Sequence, residues 1–161
     1  MPYFVRLEKE QHTFSAAHFI TFNRDVCERL HGHNYRVAVE VEGPLDENQY
    51  VIDFIALRDE LKTITDELDH HVLLPTTHPL IRVTTSEQQV EAVFTPDGRR
   101  WLFPRGDCIL LPVSNTTAEL LAHYIGQRLL AAIQRRAGIA PSRLKVAVDE
   151  NHGQWGIWEQ R

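Results

Sequence analysis

His31 and His33 flank Gly32 in the run Cys27-Glu28-Arg29-Leu30-His31-Gly32-His33-Asn34-Tyr35. In an extended segment, residues two apart leave the same face. Both imidazoles therefore point one way, and Gly32 places nothing between them that would crowd a shared ligand. His12, Phe14, Ala16 and His18 share a parity in an earlier alternating stretch, so His18 can supply a third nitrogen from a neighbouring strand. Three imidazoles with no thiolate or carboxylate in fourth place leave one position of a tetrahedral zinc open, which is the arrangement Lewis-acid chemistry needs. His18, His31 and His33 are thus the candidate Zn2+ ligands.

The elements that must position these groups follow from periodicity. Residues 3–19 read as a first strand whose alternation falters at 8–11, and residues 31–42 read as a second. Between them, 20–29 breaks the pattern and leaves Cys27 on a loop or a strand edge. Asp53 is placed to cap a helix whose apolar positions are Leu57, Leu61, Ile64 and Leu68. That helix ends at Asp69-His70, where a carboxylate beside an imidazole can orient it and stabilise its protonated form. Short β-like runs at 81–84, 88–94 and 100–103 follow, with a hairpin turn at Pro96-Asp97-Gly98. Thr116 and Glu119 have capping-box spacing and open a second helix over about 115–136. In the strand 143–150, Glu150 shares the parity of Leu144, Val146 and Val148. A carboxylate on an apolar face needs a partner. Residues 155–159 form the last strand.

Composition sets the outer limits. The 161 residues make a reasonable single domain, and 43% hydrophobic content supports an ordinary core. A formal charge of -5, from 22 acidic and 17 basic residues, gives no overall attraction to nucleic acid or acidic lipid. With no apolar run of eighteen residues and no start resembling a signal peptide, the expected location is the cytoplasm, where Cys27 and Cys108 remain free thiols.

Phe14-Ser15-Ala16-Ala17-His18, then Cys27 and His31-Gly32-His33-Asn34-Tyr35, resembles the signature of the 6-pyruvoyl-tetrahydropterin synthase and 6-carboxy-tetrahydropterin synthase family. The resemblance implies that His18, His31 and His33 hold zinc, that Cys27 is the proton-abstracting base, and that Asp69 and His70 act with it in proton transfer. It implies that Glu150 anchors a pterin ring through two hydrogen bonds, with Thr116 and Glu119 bordering the pocket. The expected fold is the α+β tunnelling fold, a four-stranded antiparallel sheet with two helices on one face. Residues 80–112 would be an inserted hairpin region within one domain spanning 1–161. Similar proteins assemble as trimers or dimers of trimers. The expected substrate is 7,8-dihydroneopterin triphosphate. The four-residue step from Cys27 to His31 resembles the bacterial enzymes that make 6-carboxy-tetrahydropterin with acetaldehyde, on the route to queuosine. The alternatives are the 6-pyruvoyl product, formed by triphosphate elimination with all carbons kept, and a zinc-containing pterin-binding protein without turnover.

Overall fold

The computed structural model describes residues 3–161. Its frame is a pair of long antiparallel strands, β1 (Tyr3–His18) and β4 (His31–Gly43), with a two-stranded ribbon between them made of β2 (Thr21–Phe22) and β3 (Val26–Cys27). The register pairs His18 with His31 and Ala16 with His33, and it slips between Glu8 and Thr13, where the alternation falters in the sequence. Such a slip adds local twist without moving the histidine end out of line.

The chain continues through α1 (Phe54–Leu68), β5 (His71–Pro75), β6 (Ile81–Thr85), β7 (Gln89–Phe94), β8 (Arg99–Pro104), β9 (Cys108–Leu111), α2 (Ala118–Ala137), β10 (Arg143–Asp149) and β11 (Trp155–Gln160). The Asp53 carboxylate accepts from the Ile55 N–H and starts α1, and Gly138 ends α2 in the left-handed region at φ 65°. Leu57, Leu61, Ile64 and Leu68 of α1 pack with Leu121, Ile125 and Leu129 of α2 onto Phe14, Tyr35, Val37, Val39, Val146 and Val148. Both helices therefore cover the sheet face that also carries the three histidines. Gly156 allows this at one edge. A Cβ there would stand 2.4 Å from the Ala118 carbonyl carbon and the Glu119 nitrogen, so any larger residue would push β11 off the start of α2.

The sheet has six strands, in the order β11-β10-β4-β1-β5-β9. Its first four are the expected antiparallel set. The expectation of four strands falls short because β5 adds parallel to β1, and β9 parallel to β5. The inserted region is also more than a hairpin. β6, β7 and β8 form their own three-stranded antiparallel sheet, turning through Gly98 at φ 76°, and β9 then returns to the main sheet. The sheet face away from the helices is open and charged, with Glu40 meeting Arg6, Arg143 and Lys145 across three strands. No helix among the described residues is long and apolar enough to cross a membrane.

Candidate functional site

The β1/β4 register brings the three predicted ligands together. Ligand atoms of His18, His31 and His33 all lie within 4.8 Å of one another, and their rings meet edge-on at 4.8 to 5.2 Å. Two hydrogen bonds fix which nitrogen is free. His18 Nδ1 lies 2.8 Å from the Thr116 carbonyl and His31 Nδ1 lies 2.8 Å from the Arg29 carbonyl. A carbonyl only accepts, so each Nδ1 carries the proton and each Nε2 keeps its lone pair. His18 Nε2 and His33 Nε2 are buried and have no hydrogen-bond partner. Burial, against a smaller opposing effect of the Thr116 carbonyl, pushes the His18 ring down to about 4, so it is neutral at pH 7. Converging imidazole nitrogens, two of them buried and without a hydrogen-bond partner, fit zinc.

Around this centre the structure redistributes the remaining predicted residues. Glu150 follows β10 directly and its Oε1 stands 3.3 Å from His33 Nε2, beside a cleft of about 360 Å³ shared with Glu119, Thr117, Gln154 and Trp155. Glu119 is thus a cleft residue. It is not half of a capping box, because the cap of α2 is Thr117, whose hydroxyl accepts from the Leu120 N–H. Thr116 does not border the pocket. It is fully buried, its carbonyl oriented to His18 and its hydroxyl donating to the Phe19 carbonyl at 3.4 Å, which makes it the support behind a ligand.

Asp149 cannot be a neutral bystander to Glu150. It is only 1% exposed, pairs with Arg36, and accepts from the N–H groups of Asn151, Gly153 and Gln154. These contacts hold its carboxyl below the ordinary range despite burial, and they build the turn that presents Glu150.

Asp69 and His70 form their predicted pair, with His70 Nδ1 2.7 Å from Asp69 Oδ2. The Ser15 N–H donates to Asp69 at 2.7 Å and is the main reason its carboxyl is held low. His70 lines a cavity of about 410 Å³ with Ser15, His33 and Asn34. Ser15 and Asn34 alternate with His18 and His33 along their strands and so leave the opposite sheet face from the ligands, and the His70 side chain beside them is 82% exposed.

Cys27 is the main departure. Its side chain belongs to a second apolar cluster with Phe19, Leu74, Ile81, Val90, Ala92, Phe94 and Cys108, and burial pushes its thiol up, which opposes thiolate formation. The next residue faces the metal centre instead. Glu28 Oε2 lies 3.8 Å from His31 Nε2 and accepts from the Ile20 N–H at 3.2 Å. The sequence reading passed over Glu28, although an acid three residues before the first histidine of the pair was the available signal.

The sequence model for 6-pyruvoyl tetrahydropterin synthase matches residues 6–161. The chain belongs to this family. It is 32% identical over 148 residues to a putative 6-carboxy-5,6,7,8-tetrahydropterin synthase of Methanocaldococcus jannaschii, covering 91% of this chain and 89% of that one. Its fold matches 6-pyruvoyltetrahydropterin synthase of Plasmodium vivax, in a variant with a catalytic glutamate changed to alanine. That match has a TM-score of 0.92 and 26% identity over 100% of this chain and 99% of that one. The Plasmodium falciparum enzyme matches at TM-score 0.90 and 29% identity, over 99% and 98%. The histidine cluster and these likenesses make the protein a metal-dependent, pterin-processing enzyme with the tunnelling fold.

Two outcomes follow. Purified protein should carry about one zinc per chain by elemental analysis. His31→Ala should lose most of it and Cys27→Ala should keep it, and equal retention in both would refute the ligand set. In metal-free protein, neutral His18 contributes stability that is complete above about pH 6.5 and is lost as pH falls toward 4. The amount is on the order of 3 kcal/mol. Urea unfolding across that window should show wild type losing stability that His18→Gln does not lose, and parallel curves would contradict the assignment.

Proposed function

We propose that this protein is a zinc-dependent lyase that eliminates triphosphate from 7,8-dihydroneopterin triphosphate and keeps all carbons, giving 6-pyruvoyl-tetrahydropterin. The observation that carries this reading is Glu28, set beside His31 while Cys27 is packed among apolar side chains. A catalytic glutamate in the P. vivax synthase, whose fold matches over the whole chain, supports it.

When bound at His18, His31 and His33, zinc supplies Lewis-acid polarisation of the substrate side chain. Glu28 takes a proton from a side-chain carbon, while burial pushes the Cys27 thiol up and opposes its service as a thiolate base. Glu150 accepts two hydrogen bonds from the amino group and ring nitrogen of the pterin and fixes the ring in the cleft with Glu119. Asp69 holds His70 ready to return a proton. The His70 side chain is 82% exposed beside Ser15 and Asn34, which suits a site completed by another copy, in a trimer or dimer of trimers that covers the open sheet face and edges.

The second reading is 6-carboxy-tetrahydropterin synthase, favoured by the Cys27-to-His31 spacing and by the M. jannaschii relative. Product analysis separates the two. Metal-loaded protein given dihydroneopterin triphosphate should release triphosphate with a pyruvoyl pterin and no acetaldehyde. Glu28→Gln should lower kcat by about 100-fold or more, and Cys27→Ala should leave it within about threefold of wild type. Acetaldehyde with a carboxypterin would establish the second reading. Loss of turnover in Cys27→Ala with Glu28→Gln active would return the base to the thiol, and release of neither product would favour a binding protein.

A further inference from the structure

The three-stranded inserted sheet packs against the segment that carries Glu28. Phe19, the residue after ligand His18, stacks on Trp101 of β8 with ring centres 4.2 Å apart and planes at 15°. On the other side of the ribbon, Cys27 shares its apolar cluster with Ile81, Val90, Ala92 and Phe94 of the inserted strands. Arg99, the first residue of β8, joins the two. Its guanidinium lies 5.5 Å from the Phe94 ring centre and 5.7 Å from that of Trp101, and Asp97 Oδ2 accepts from its Nε at 2.7 Å. Aimed this way, Arg99 Nη2 donates to the Cys27 carbonyl at 3.0 Å.

That carbonyl belongs to the peptide whose nitrogen is Glu28 N, which in turn donates to the Ile20 carbonyl at 2.9 Å. The Cys27–Glu28 peptide unit is therefore held at both ends, its oxygen by the insertion and its N–H by the residue two after His18. A planar unit fixed at two opposed points has its orientation set, and the Cα of Glu28 follows from it. The Ile20 N–H then receives the Glu28 carboxylate itself. The ribbon turn at Asn23 and Arg24 is exposed, with both residues at positive φ.

We propose that Arg99 is a positioning residue for Glu28, and that the inserted sheet is the clamp that sets the base against the metal centre. This deepens the reading of Glu28 as the base and rests on it. A guanidinium suits the task because its planar fork engages Asp97 and the Cys27 carbonyl together, which an ammonium on a flexible stem does less well.

The test uses full-length, zinc-loaded protein and two readouts. One is alkylation of Cys27 by iodoacetamide, followed at the peptide level by mass spectrometry so that Cys108 is scored separately. The other is steady-state triphosphate release. Arg99→Ala should raise the Cys27 alkylation rate at least about tenfold and lower kcat about tenfold, with KM within about twofold and zinc content at the wild-type value. Arg100→Ala, which loses only a surface pair with Glu91 at 3.0 Å, should match wild type in both. Arg99→Lys should move both readouts the same way by about threefold, and it serves if Arg99→Ala does not fold. Unchanged Cys27 alkylation in the Arg99 variants overturns the clamp, and faster alkylation with wild-type kcat overturns its catalytic role. If wild type itself releases no triphosphate, the proposed reaction fails, and alkylation alone then decides whether Arg99 holds the segment.

Discussion

The hydrogen bond from His18 Nδ1 to the Thr116 carbonyl is the point on which the site depends. It is fully buried, it joins the last residue of β1 to the segment that starts α2, and it decides which nitrogen of His18 remains free. Asn115 and Thr116 secure the same junction from behind, through the Asn115 amide on the Thr21 carbonyl and the Thr116 hydroxyl on the Phe19 carbonyl. A buried imidazole with one nitrogen committed and the other unpartnered is costly in a metal-free chain. That cost is what zinc relieves, so the site couples metal affinity to the docking of α2 on the sheet.

From that junction the functional groups fall into two sets. The three histidines, Glu28, Glu150 and Glu119 share the helix-covered face and its rim, while His70 lines a cavity with Ser15 and Asn34, whose side chains leave the open face. Strand alternation sets Ser15 and Asn34 apart from the ligands, because neighbouring residues of β1 and β4 must point apart. The open face carries rows of charge, and β11 and β9 are the outer strands of the sheet.

Much of the site was legible because it rests on period-two alternation in long strands. His18, His31 and His33 keep a common parity with Phe14 and Tyr35, and sixteen-residue and thirteen-residue strands leave little freedom in that reading. Glu150 was legible by the same rule. The β5 and β9 strands were not, since four or five apolar residues buried without alternation carry no signature of a parallel partner far along the chain. Thr116 and Thr117 are chemically alike, and what makes the second of them the cap is that the carbonyl of the first is committed to His18. Cys27 and Glu28 sit at the end of a two-residue strand, too short for any period, so no local pattern tells which neighbour faces His31. The family signature includes the cysteine, and in the fold its side chain joins the apolar cluster with Phe94, against which Trp101 packs.

The central claim is that three imidazoles, with no sulfur, form the metal centre and that Cys27 stands apart from it. X-ray absorption at the zinc edge of the loaded, substrate-free protein tests this directly. The account requires a first shell of nitrogen and oxygen scatterers at about 2.0–2.1 Å, with imidazole multiple scattering for three histidines and no sulfur. A zinc–sulfur distance of about 2.3 Å would place the Cys27 thiolate on the metal and contradict both the ligand set and the role given to Glu28.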